Sequence, residues 1–286
     1  MIKFEPCDTV IGAVVTGCHL TRVPDADTIA AIESALEKYG VLIFRDQQIS
    51  PAEQIAFSRA FAALEQTSRV SARLEGHPEI FVVGNVDGKV VSFAPADGSD
   101  ELEWHADHMH LDVPARASML YCLQTPPVGG ETLFACMYSA YDALSADAKA
   151  EADGLIAQHS VSGLQTFLRQ KGAQGAAEGK YSSPESLVVK WPLVRHHPLT
   201  GRKSLYFGSK VTIGIEGWPD AKARPYIETL EAQATVDGFR YAHAWRPGDA
   251  VLWDNRRVLH AGTPFDMNAY ARRMHRTTWR EEHPIA

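Results

Sequence analysis

The residues of this chain whose types and spacing could do chemistry begin with Trp104-His105-Ala106-Asp107. On an extended strand, residues i and i+2 point to the same side. His105 and Asp107 would then bring an imidazole and a carboxylate to one point in space. These are two of the three groups of a 2-His-1-carboxylate triad, which leaves coordination positions open and suits Fe(II) oxygenases. An H-x-D pair is also common on ordinary surfaces, so a third group has to be found. The stretch from Val251 to His260 runs from an apolar segment through a polar turn and ends on a histidine flanked by Leu259 and Ala261. His260 is the natural third ligand. The plainer alternative is a core histidine bonded to a backbone carbonyl.

Further on lies Arg272-Arg273-Met274-His275-Arg276. If it is a strand, Arg272 and Arg276 share a face and Arg273 points away. Two guanidinium groups entering an apolar core need anionic partners. A dicarboxylate would serve, because the guanidinium fork matches carboxylate geometry. Arginines clustered on an exposed edge strand are the alternative.

The elements that must position these groups are mostly short strands. Apolar or alternating runs predict strands at Val14–Leu20, Val41–Phe44, Ile80–Val83, Ala117–Leu123, Thr132–Ala135, Trp191–Arg195, Ser204–Phe207, Phe239–Trp245, Ala250–Trp253 and Met274–Thr278. Helical spacing predicts helices over Thr28–Lys38, Met137–Ala143, Ser145–Ala152 and Asp220–Ala234. A capping box at Ser50–Glu53, with Pro51 at the first helical position, opens another. Residues 163–186 lose periodicity and carry a small, polar stretch, which makes them a candidate mobile lid. Neither an internal repeat nor a dividing linker is visible. The expected fold is mainly β with flanking α: a single domain over 1–286 built on a double-stranded β-helix (jelly roll), with helices packed outside.

Composition narrows the class. The chain has 286 residues, 45% of them hydrophobic, enough for a substantial core, and a formal net charge of −7 without the basic stripe of a nucleic-acid binder. No basic segment followed by an apolar stretch opens the chain, and no run is long enough to cross a bilayer. None of Cys7, Cys18, Cys122 and Cys136 forms a C-x-x-C pair, so a zinc site or redox dithiol is not expected. Unpaired thiols and no export signal predict a cytoplasmic protein. The expected partner is a small anionic molecule, with neither nucleic acid nor membrane; a homo-oligomer is compatible with the sequence.

With these residues in view, the chain resembles the taurine dioxygenase and 2,4-dichlorophenoxyacetate dioxygenase family of Fe(II)/2-oxoglutarate enzymes. The resemblance runs through Tyr39–Arg45, Gln54–Phe61, Trp104–Asp107, Gly129–Thr132, His197–Lys203, Gly248–Arg256 and the closing arginines. The similarity is strongest to the aryloxyalkanoate branch, especially around Trp253–Met267. It implies iron held by His105, Asp107 and His260, and 2-oxoglutarate and O2 as co-substrates. It also implies that Thr132 and Arg272 receive the distal carboxylate of 2-oxoglutarate. Arg276 matches a second arginine that in sulfonate-using members also reaches the substrate anion. Thr67 stands where taurine-type members carry a substrate-binding histidine, and His108 and His110 follow the H-x-D motif where relatives are often apolar or hydroxylic. These departures argue against taurine and make Thr67, His108, His110 and Arg276 candidate substrate contacts. His108 lies opposite the ligand face if the strand continues past Asp107; if the chain turns there, either histidine could line the pocket.

The activity so implied is hydroxylation of a C–H bond in a small organic acid, with release of succinate and CO2. An ether-linked carbon would turn hydroxylation into ether cleavage. Sulfonate or sulfate-ester oxygenation is the alternative within the class. A zinc hydrolase on the same three ligands and a non-catalytic 2-oxoglutarate or iron sensor are more distant ones. A halogenase is disfavoured by Asp107, since halogenating relatives open that position for halide.

Overall fold

The computed structural model describes residues 1–66, 70–86, 102–163 and 187–282. In chain order the elements are β1 (Lys3–Pro6), β2 (Ala13–Thr16), α1 (Ala26–Tyr39), β3 (Val41–Phe44), α2 (Pro51–Arg59), β4 (Arg73–Leu74), β5 (His77–Gly84), β6 (Ala115–Gln124) and β7 (Thr132–Cys136). Then follow α3 (Met137–Asp142), α4 (Ala146–Asp153), β8 (Ile156–His159), β9 (Val189–Pro192), β10 (Val194–His196), β11 (Lys203–Leu205), β12 (Thr212–Ile215) and α5 (Asp220–Ala234). The chain closes with β13 (Arg240–His243), β14 (Ala250–Asp254), β15 (Val258–Gly262) and β16 (Arg273–Arg280).

Side-chain alternation sets the layering. The largest sheet has the order β1-β2-β3-β14-β6-β16-β5-β4. On its central strands Leu42, Phe44, Met119, Tyr121 and Leu252 pack to one side, against Ile32 and Leu36 of α1 and Phe57 of α2. Their neighbours Ile43, Leu120, Val251 and Trp253 face the other way and meet Phe134, Cys136 and Val258 of a smaller sheet, order β13-β7-β15. Because side chains of a strand alternate, strands buried on both faces read as continuous apolar runs, as Val41–Phe44 does. The outer face of the small sheet presents Ala135, Leu259 and Ala261 to a third cluster holding Leu205, Phe207, Ile227 and Leu230. The protein is therefore mainly β, two sheets face to face, with α1 and α2 on one flank and α5 on the other.

Local signals behave as their chemistry demands. Ser50 accepts from Glu53 N while the Glu53 carboxylate accepts from Ser50 N, completing the capping box of α2. Gly40 ends α1 in the left-handed region at φ 73°, where a side chain would be strained. The segment expected as one strand over Trp191–Arg195 is two, β9 and β10, pairing with different partners. Five strands that the sequence pattern did not reveal, β1, β4, β8, β12 and β15, are short or mixed in polarity, and tertiary pairing creates them. Of the candidate lid at 163–186, only Gly163 lies among the described residues. No helix among the described residues is long and apolar enough to cross a membrane.

Candidate metal centre

The H-x-D segment is not a regular strand. His105 forms a single antiparallel bridge with His260, in the middle of β15. The two residues exchange both backbone bonds, His105 N to His260 O at 3.1 Å and His260 N to His105 O at 2.8 Å. This doubly bonded pair sets the two imidazoles side by side, ring centroids 4.3 Å apart. Gly208 lets the segment approach closely: a Cβ there would lie 2.8 Å from Met109 Sδ and 3.1 Å from Trp104 O. Past Asp107 the chain turns, with His108 left-handed at φ 56°. Of the two courses the sequence left open past Asp107, the chain takes the turn, which swings His108 and His110 away from strand alternation.

Candidate ligand atoms of His105, Asp107 and His260 all lie within 4.8 Å of one another, and all three residues are buried. His105 Nδ1 lies 3.0 Å from Glu103 O. Donation there leaves Nε2 as the available lone pair, the usual arrangement for a metal-binding histidine. His260 turns its Nε2 toward Asp107, 3.9 Å from Oδ2, and its ring packs on Trp253 and Phe134 between the sheets. Burial pushes His260 down to about 3, with His105 and Arg276 adding and Asp107 opposing. Burial likewise lowers His105. Burial alone would raise the Asp107 carboxyl, but Arg276, His260 and His105 together hold it below the usual carboxylate range. Two neutral imidazoles and an ionised carboxylate are the protonation states a metal ion requires. The donor set therefore fits a divalent metal with N,N,O preference.

Beside the triad is a pocket lined by Val83, Leu120, Thr132, Phe265, Arg272 and Arg276. Thr132 Oγ1 accepts from Trp245 Nε1 at 2.9 Å, which leaves its hydroxyl hydrogen available for a ligand. Arg272 is buried and has no ion-pair partner among the described residues, and its Nε makes no hydrogen bond. Burial lowers it to about 10, opposed only by Cys122. Arg276 differs: it is ion-paired with Asp107 Oδ1 and lies over the Phe81 ring. The structure places both arginines at one pocket, but Arg272 lies just before β16 rather than on the strand expected to carry both, and Arg276 has a partner the sequence did not reveal. His108 and His110 lie near this centre, their rings 6.3 Å apart. Thr67 lies outside the described residues.

Sequence reasoning missed three contributors: Ser118, Asn255 and Trp245. Asn255 falls inside the Gly248–Arg256 stretch that carries the resemblance, yet spacing alone assigned it no role.

A profile of the taurine catabolism dioxygenase TauD, TfdA family matches residues 3–278. The chain belongs to this family. Among TauD/TfdA proteins, it is 37% identical over 264 residues to the (S)-phenoxypropionate/alpha-ketoglutarate-dioxygenase of Sphingobium herbicidovorans, covering 92% of this chain and 89% of that one. It is 35% identical to the alpha-ketoglutarate-dependent 2,4-dichlorophenoxyacetate dioxygenase of Cupriavidus pinatubonensis, covering 93% of each. Among solved TauD/TfdA-like structures, AAD-2 in complex with Mn(II) and N-oxalylglycine superposes with a TM-score of 0.83 at 29% identity, covering 99% of both chains.

Proposed function

We propose that this protein is an Fe(II)- and 2-oxoglutarate-dependent dioxygenase that hydroxylates a C–H bond of a small organic acid, with aryloxyalkanoates as the favoured class. His105, Asp107 and His260 hold the iron. Arg272 and Thr132 receive the distal carboxylate of 2-oxoglutarate. The observation that carries this reading is Arg272: a buried guanidinium without an ion-pair partner among the described residues, beside a buried His-Asp-His cluster. A buried charge of this kind calls for an anion, and a dicarboxylate chelating a neighbouring metal would present one. The iron, when bound, supplies the dioxygen chemistry that couples decarboxylation of 2-oxoglutarate to substrate hydroxylation.

The protein's own groups do the rest. The neutral imidazoles and the ionised Asp107 offer lone pairs without needing to lose protons near neutral pH. Arg276 neutralises part of the Asp107 charge. Apolar walls at Val83, Leu120 and Phe265 exclude water from the reacting face. If the hydroxylated carbon bears an ether oxygen, the product collapses to a carbonyl and an alcohol or phenol. Substrate contacts are assigned to Arg276, His108, His110 and Thr67. The two-sheet core is read as a double-stranded β-helix and the whole of 1–286 as one domain.

The test is anaerobic loading with Fe(II) and 2-oxoglutarate, then exposure to oxygen with a panel of aryloxyalkanoates, sulfonates, sulfate esters and neutral amides. Substrate-dependent succinate release with an aryloxyalkanoate is expected, and its reduction to background in Asp107→Ala. Succinate formation near the wild-type rate in that variant would refute the assignment. Preference for sulfate esters moves the substrate class and leaves the reaction type.

A further inference from the structure

Asp107 is held by more than its metal-binding neighbours. Asn255 sits buried in the turn between β14 and β15, and its Oδ1 lies 2.9 Å from Trp253 Nε1 and 3.1 Å from Asp107 N. Both partners are N–H groups that only donate, so the accepting end of the amide is fixed. The other end, Nδ2, therefore donates to Ser118 Oγ at 3.0 Å. Ser118 has a single hydroxyl hydrogen, and its other close partner is Asp107 Oδ2 at 2.6 Å. An ionised carboxylate only accepts, so that hydrogen points at Asp107. Every direction in the ring is settled: Trp253 and the Asp107 backbone donate to Asn255, Asn255 to Ser118, and Ser118 to the Asp107 side chain.

We propose that Ser118 and Asn255 are positioning residues for the metal-binding carboxylate, an inference that rests on Asp107 being a metal ligand. Arg276 engages Oδ1 and Ser118 engages Oδ2, so the rotation of the carboxylate is restrained from both oxygens. Its remaining lone pairs then face the imidazoles in one orientation. The Ser118 bond is charge-assisted, hence stronger than a neutral one. Asn255 makes this possible by occupying the Ser118 lone pair, which prevents the hydroxyl from rotating away. Its backbone also donates to Arg116 O at 3.0 Å, which ties the turn before His260 to the strand that carries Ser118. One ring thus links the segment bearing His105 and Asp107 to the turn that leads into His260.

The test is anaerobic titration of the metal-free protein with Co(II), in the wild type and in Asp107→Ala, Ser118→Ala and Asn255→Asp, reading affinity and ligand-field absorption. Thermal melting of each metal-free variant reports folding. Asn255→Asp keeps both acceptor contacts, but the new carboxylate cannot donate and draws the Ser118 hydroxyl toward itself. Both ring variants are expected to bind Co(II) roughly 10- to 100-fold more weakly, the usual range for partners that orient ligands, with a shifted spectrum on a folded protein. A wild type that fails to bind, or an Asp107→Ala that binds as well, defeats the metal reading itself. If Asp107→Ala loses the metal while both ring variants keep wild-type affinity and spectrum, the positioning role is wrong. If both ring variants are unfolded without metal, the ring is structural and the positioning role is likewise overturned.

Discussion

Arg272 is where a single side chain decides most. It is buried, has no ion-pair partner among the described residues and borders the pocket beside the triad. Its charge is expensive without a ligand and useful with one. Truncating one partner of a buried, hydrogen-bonded charge pair costs about 2–5 kcal/mol. Arg272→Ala is therefore expected to weaken 2-oxoglutarate binding by at least about 30-fold, at about 1.4 kcal/mol per factor of ten. Metal affinity in its absence should hardly change. Arg272→Lys should recover part of the loss, since it restores charge but not the two-pronged geometry. Titration of the metal-loaded protein with 2-oxoglutarate measures both. An affinity unchanged in Arg272→Ala would move the carboxylate site to Arg276.

At the scale of elements, the end of β5 places Arg272, which lies just before β16. Gly84 pairs with Arg273 at the start of β16. Its φ is +150°, and a Cβ there would lie 1.8 Å from the Arg272 carbonyl oxygen. The next residue, Asn85, donates its backbone N–H to that oxygen at 3.1 Å and accepts from Arg272 N at 2.7 Å. Its side chain also donates to Met267 O and Tyr270 O, both at 2.9 Å. β5 thus holds the chain entering β16 by backbone contacts that leave no room for a side chain. Gly84→Ala is expected to push Arg272 out of register, lowering 2-oxoglutarate affinity about tenfold or more. It also carries a backbone strain of order 1–3 kcal/mol. The metal ligands lie on other segments, so Co(II) affinity without 2-oxoglutarate should stay within a factor of a few. Equal losses of both affinities would mean that the substitution disrupts the sheet as a whole.

Across the whole molecule, histidines outside the triad are buried as well, among them His159 on β8 and His275 on β16. Burial pushes His159 down to about 3, with Arg195 and His110 adding. Burial pushes His275 down to about 4, with Arg273 and His77 adding. Unfolded histidine titrates near 6.5. Below that pH the unfolded chain takes up protons that these folded residues refuse, so stability falls as the solution is acidified. The loss runs from about 6.5 down toward the folded values, at about 1.4 kcal/mol per pH unit for each histidine. The two groups together predict a clear drop in melting temperature between pH 7 and pH 5. His159→Gln should make that slope shallower whatever it does to the melting temperature at pH 7. A melting temperature that is level or rising toward pH 5 contradicts this account.

What the sequence determined by itself is the set of chemically able residues and the local signals around them. His105, Asp107 and His260 could be singled out because their type and context are rare in combination. The capping box at Ser50 and the apolar run at Val41–Phe44 depend only on neighbours along the chain, so they are legible from the chain. Tertiary structure alone decided how the ligands meet. The H-x-D motif was expected to work through strand alternation; instead, two backbone bonds to His260 set the imidazoles together, and the chain turns at His108. β15 has no signature of its own because its pattern, Val258-Leu259-His260-Ala261-Gly262, serves different layers on its two faces. The ion pair of Arg276 with Asp107 and the ring through Ser118 and Asn255 join residues far apart in the chain. Spacing and periodicity report only which side chains share a face of one element. Which faces then come to lie opposite one another is settled by the packing of the two sheets, and here that packing builds the site.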